Sequence, residues 1–160
     1  MSRYDFWTHG VNIVAEHPDR LAFERRWGGG AEFEQVGDFP EGDERKINWF
    51  DLAIPSPSVL EDDKPVSLRN MRLSGHCNEN AFIVFAAVHD GRIRQWETDL
   101  APHDHDTGLT GDIDLSMGVE GGTMHRPVTV GINLCVKVRF DAGAPRGHVS
   151  FFGAGALYTA

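Results

Sequence analysis

Apolar and polar residues alternate through VTVGINLCVKVRF, residues 128 to 140. Val128, Val130, Ile132, Leu134, Val136, Val138 and Phe140 fall on one side, and Thr129, Gly131, Asn133, Cys135, Lys137 and Arg139 on the other. Successive side chains of an extended chain point to opposite faces, so a period of two predicts a strand with one face in a core and one toward water. Gly131 marks a bend or bulge, because an unbroken strand of that length is unusual. Cys135 belongs to the polar face.

The rest of the chain repeats this logic in shorter pieces. NAFIVFAAVHDGRIRQW predicts a hairpin: Phe82 to Val88 is apolar on both faces, Asp90-Gly91 supplies the turn, and Arg92 to Trp96 returns. NWFDLAIPSP places Phe50, Leu52 and Ile54 on one face, and Pro55 and Pro57 stop it. In VSLRNMRL the apolar phase slips between Leu68 and Met71, as a bulge near Arg69 and Asn70 would produce. The tail GHVSFFGAGALYTA reads as a last strand, with Gly153 and Gly155 where a backbone or a bulky side chain comes close. FWTHGVNIV is a strand interrupted by Gly10. DRLAFERRW alternates as a strand, although Pro18-Asp19 could open a short helix. About eight or nine short strands with Gly, Pro and Asp turns and no long helical period predict an all-β fold, an antiparallel β-sandwich of jelly-roll-like type. No linker, repeat or low-complexity segment divides residues 1–160, so one domain is expected.

Composition narrows the function classes. With 41% hydrophobic and 24% charged residues, the 160-residue chain is an ordinary globular domain, long enough for a sizeable core. Its formal charge of −9 and its scattered basic residues, paired only at Arg25–Arg26 and Arg45–Lys46, argue against nucleic-acid and anionic-membrane partners. No apolar run is long enough for a membrane span, and the N-terminus has no secretory core, so the chain reads as cytoplasmic. Two cysteines, Cys77 and Cys135, exclude a disulfide framework, and free thiols are the expected state.

The order of FWTHG, EHPDRL, NWFDLAIPSP, HDGRI, VGINLCVKVRF and FFGAGALY resembles a family of small all-β proteins of unknown function. Its members open with a Trp-x-His-Gly element, here Trp7, His9 and Gly10, and share a strand ending in Ile-Pro-x-Pro, here Ile54 to Pro57. The resemblance spans most of the chain and implies the sandwich. It implies no activity.

Two residue sets could carry chemistry. In PHDHDTGLTGDID, His103 and His105 share one side of an extended segment, and Asp104 and Asp106 the other. Two imidazoles with a third ligand would suit a transition metal, and Asp104, Asp106, Asp112 and Asp114 a calcium ion, although the spacing matches no EF-hand. The plainer reading is a polar surface loop of turn formers, with at most a weakly bound divalent metal and no role for it in folding. The second set is Trp7, Trp27, Trp49 and Trp96. Exposed aromatic rings on a sandwich can stack against the apolar face of a sugar. Trp96, among charged neighbours, is the most exposed candidate, whereas Trp7 and Trp49 read as core. Trp96, Trp27 and His9 are the candidate ligand contacts, and His9 has the plainer alternative of a structural histidine bonded to backbone.

Neither a nucleophile elbow nor a nucleotide-binding glycine motif occurs. The leading reading is a non-enzymatic binding module for carbohydrate or another small polar ligand. The alternative is a small enzyme with a pocket drawing on His9, His103, His105 and nearby Asp. A third is a structural or homo-oligomer-forming protein, whose strand faces pair between copies.

Overall fold

The strand announced by the long alternation forms, and every neighbour it needs forms with it. A computed structural model of the chain describes residues 3–37, 39–57, 65–100, 111–115, 127–143 and 145–159, the backbone alone for 111–115. Among the described residues the strands are β1 (Arg3–His9), β2 (Val14–Ala15), β3 (Leu21–Trp27), β4 (Gly30–Gln35), β5 (Ile47–Ile54), β6 (Ser67–Cys77), β7 (Ala81–Asp90), β8 (Ile93–Asp99), β9 (Gly111–Leu115), β10 (Ile132–Phe140) and β11 (His148–Thr159). One sheet runs β3-β4-β11-β6-β9, with β1 also paired to β11, and the other runs β2-β5-β10-β7-β8. All the pairings are antiparallel. The chain passes repeatedly from one sheet to the other, which is the jelly-roll-like sandwich expected. Pro18–Arg20 makes a single 3-10 turn that leads into β3, so DRLAFERRW contains both the turn and the strand.

The core lies between the sheets. Phe33 of β4, Phe50 of β5 and Phe151 of β11 meet there, with ring centroids 4.8, 5.2 and 6.2 Å apart in their three pairings. Ile132, Leu134, Val136, Val138 and Phe140 of β10 are all buried in it, as the alternation requires. Val128 is buried too, but Val130 is 76% exposed, which corrects its expected place in the core. The reason is Asp90. Its buried carboxylate accepts hydrogen bonds from the backbone N–H of Thr129 (2.7 Å), Val130 (2.8 Å) and Gly131 (2.9 Å) and from the Thr129 hydroxyl (2.8 Å). Those donors would otherwise serve a ladder, so the chain loops there and β10 starts at Ile132. Replacing Ile132 with Val is therefore expected to cost about 0.5–1.5 kcal/mol and Val130 with Ala less than about 0.5. Chemical denaturation of the two variants checks this, and equal losses would mean the strand start is misplaced.

The hairpin turn also sits one residue later than expected. Asp90 pairs with Ile93, leaving Gly91-Arg92 as the two-residue loop, with Gly91 at φ +58°. The slip in VSLRNMRL is a bulge as expected: Leu157 pairs with Asn70 and Tyr158 with Leu68, so Arg69 has no opposite number. Pro55 ends β5, and its carbonyl accepts a hydrogen bond from the Tyr158 hydroxyl at 3.4 Å. Next to it the Ser56 hydroxyl accepts one at 3.0 Å from the N–H of Ile132, the first residue of β10.

Candidate functional site

Register, not sequence proximity, builds the candidate site. On the outer face of the five-stranded sheet, Cys135 stands opposite Asp51 on β5 and Ala87 on β7. One row along, Lys137 stands between Trp49 and Phe85, and in the other direction Asn133 stands between Ala53 and His89. Cys135 and Ala87 are small, so the sheet face dips between larger neighbours. The result is an open groove of about 380 Å³, with Trp49 and Phe85 at one end, His89 at the other, Asp51 and Glu16 on one side and Arg94 on the opposite side.

Aromatic and polar contacts hold this groove in shape. Trp49 and Phe85 lean together over the strand between them, ring centroids 5.6 Å apart and nearly perpendicular. The Lys137 ammonium lies 5.6 Å from the Trp49 ring centroid. Asn133 donates through Nδ2 to Asp51 Oδ1 at 2.8 Å and to Cys135 Sγ at 3.2 Å, and Cys135 Sγ lies 3.3 Å from His89 Nδ1. Arg94 is paired with Glu97.

A cysteine beside a histidine invites comparison with a nucleophilic pair. The electrostatics run the other way. Burial pushes the Cys135 thiol up to about 12, helped by Asp51, as an acceptor for its proton and as a nearby charge, and by the charge of Glu16, against a small lowering by Asn133. A reactive cysteine needs a lowered pKa, normally supplied by positive charge. This thiol is a neutral floor residue. Cys77, buried in the core, is likewise pushed up to about 12 by desolvation, and neither sulfur is bridged.

Of the residues singled out by sequence, Trp49 lines this groove; the other described ones lie elsewhere, with His9 and Trp7 lining a separate hollow of about 390 Å³. His9 accepts from the N–H of Val11 at 3.1 Å through Nδ1, and its Nε2 sits 3.0 Å from the Gly28 carbonyl. Both ring nitrogens are thus engaged with backbone. Trp27 is half-buried at the end of β3, with its indole folded so closely over Gly29 that a Cβ there would lie 2.5 Å from the ring nitrogen. Trp96 lies on the inner side of β8, half-buried and packed on the core, because its partner in the ladder is the buried Val88. Trp7 and Trp49, which read as core residues, instead stand on the outer faces of the two sheets; Trp7 is 43% exposed. His103, Asp104, His105 and Asp106 lie outside the described residues. Among the described residues no group of three or more His, Cys, Asp or Glu side chains could hold a metal ion.

Trp7, His9 and Gly10 nevertheless act together. Trp7 pairs with Gly155 and its indole covers that glycine, where a Cβ would come within 2.6 Å of the ring. His9 bonds the β3–β4 turn at Gly28, and Gly10 lets the chain pass against the Phe151 carbonyl. Residues 1–153 match the model of a family of unknown function, DUF6623. The chain belongs to that family. Among curated proteins none matches the DUF6623 chain. Two solved structures are similar to it in fold at 7% identity: a carbohydrate-binding module, CBM36, in complex with calcium and xylotriose (TM-score 0.38, covering 96% of this chain and 98% of that one), and a family two carbohydrate esterase from Cellvibrio japonicus (TM-score 0.40, 99% and 35%). This DUF6623 chain thus spans about a third of the esterase's length.

Sequence reasoning missed Glu16, Asp51, Phe85, His89 and Arg94 as site residues. Alternation signals that Asp51, Cys135 and His89 face outward from their strands. Their convergence depends on β5, β10 and β7 being adjacent in one register, which no local pattern encodes.

Proposed function

We propose that this protein is a non-enzymatic binding module and that the groove over Cys135 and Ala87 holds a small polar ligand, a saccharide. The observation that carries the reading is the groove itself, with an aromatic pair at one end and hydrogen-bonding side chains of both polarities along the rest. A sugar ring offers an apolar face to Trp49 and hydroxyls to Asp51, His89 and Arg94. The Cys135 thiol, held protonated by its surroundings, speaks for binding over covalent chemistry. Two unbridged thiols fit a reducing compartment such as the cytoplasm. No helix among the described residues is long and apolar enough to cross a membrane.

A glycan array followed by calorimetry tests this reading. At least one glycan should bind the wild type, and Trp49→Ala should weaken it by about tenfold, the loss of roughly 1.4 kcal/mol of stacking. Binding that ignores Trp49→Ala, or no glycan binding at all, overturns the proposal. Circular dichroism on the variant separates lost binding from lost fold.

A further inference from the structure

We infer that the groove selects a saccharide carrying a protonated amine, with the ammonium held between Asp51 and Glu16. This inference rests on the groove being the ligand site. Its ground is an imbalance of charge across the groove. On one side, Asp51 of β5 and Glu16, just beyond β2, present two carboxylates. Among the described residues neither takes part in an ion pair. Asp51 accepts from Asn133 through Oδ1 and from the Cys135 thiol, which leaves part of its acceptor capacity unused.

On the opposite side Arg94 is paired with Glu97, and at the aromatic end the Lys137 ammonium lies over the Trp49 ring and keeps its charge. Two unpaired carboxylates against that one ammonium leave a net negative charge facing the hollow.

Three classes of sugar would meet this field differently. An anionic sugar is repelled, by the groove and by the chain's overall charge of −9. A neutral sugar can donate hydroxyls to the carboxylates but leaves their charge uncompensated. A protonated amine supplies three donors and the missing positive charge, and charge-assisted hydrogen bonds are about twice as strong as neutral ones.

Calorimetry with trisaccharides of one β-1,4-linked glucan backbone reads the difference: the glucosamine trimer, its N-acetylated form and cellotriose, at mildly acidic pH and low salt. The glucosamine trimer should bind about tenfold or more tightly than the other two, with the preference shrinking as salt is raised. Asp51→Asn should weaken the glucosamine trimer far more than cellotriose, erasing most of the preference, and Glu16→Gln should erase part of it. Neutral trimers that bind as well as the amine, and still depend on Trp49, overturn the amine inference but not the groove. If none of the trimers binds, the amine inference falls, and the glycan array decides the groove separately. If the amine is preferred equally by the wild type and by Asp51→Asn, the charge is read elsewhere and the inference is wrong.

Discussion

Replacing Gly10 with alanine is expected to destabilise the fold by about 3 kcal/mol, lowering the melting temperature of a chain this size by roughly 6–12 °C. A methyl group at Gly10 would lie 2.0 Å from the Phe151 carbonyl oxygen and 2.6 Å from its carbon. Both belong to the backbone of β11, which cannot swing aside as a flexible side chain can. Gly30 approaches the same carbonyl from β4, where its Cβ would come within 2.1 Å, so β11 is crowded on this side twice over. Gly28, in the neighbouring turn, has nothing within 4 Å of its would-be Cβ, and Gly28→Ala serves as the control that should lie within about 0.5 kcal/mol of wild type. Thermal melting of the two variants decides the matter, and equal shifts would show that the close approach of the turn after β1 to β11 is not what Gly10 provides.

Asp90→Ala should cost about 3–5 kcal/mol, because it strips four donors of a buried anionic acceptor at once. The pH dependence follows from the same geometry. Burial pushes the Asp90 carboxyl up, but the hydrogen bonds from Gly131, Val130 and Thr129 outweigh it and hold the group below its ordinary value of 3.8. In the unfolded chain the carboxyl returns to that ordinary value. The stabilising contribution is then complete above the unfolded value and is lost as the pH falls through the depressed folded one. The gap in unfolding free energy between wild type and Asp90→Asn should thus stay constant from neutral pH down to about pH 5 and narrow below about pH 4. A gap that widens on acidification would mean that Asp90 is protonated in the folded state. Hydrogen exchange should show the amides of Thr129, Val130 and Gly131 losing protection first in either variant.

How far the fold could be read from sequence varies with the kind of interaction involved. β7 is legible as a short apolar run that ends at a turn signal; β5 and β10 are legible because each must bury one face, and burial imposes a period of two on its residues. The bulge at Arg69 is legible for the same reason, since a phase slip in an apolar pattern has one geometric meaning. Val130 is misread because its exposure follows from an interaction 40 residues away, between Asp90 and the 129–131 backbone. Nothing in the local alternation announces that a carboxylate will take the hydrogen bonds of the strand's first residues. Trp7 is misread in a related way: its size suggests burial, but its ring is accommodated on the outside, over a glycine of β11.

The groove is the extreme case. Glu16, Asp51, Phe85, His89, Arg94 and Cys135 come from β5, β7, β8, β10 and the segment after β2, and no two of them from neighbouring positions. The amino-acid pattern alone reveals the all-β class, most of the strands and the core faces of β5 and β10, because hydrophobic burial acts through residue spacing along one strand. Folding in three dimensions settles which outer faces lie side by side, on which face Trp7, Trp49 and Trp96 stand, where β10 begins and which carboxylates face a hollow. Those depend on strand order and register, and they are settled by contacts between residues tens of positions apart, whose identities do not constrain one another until the sheets have formed.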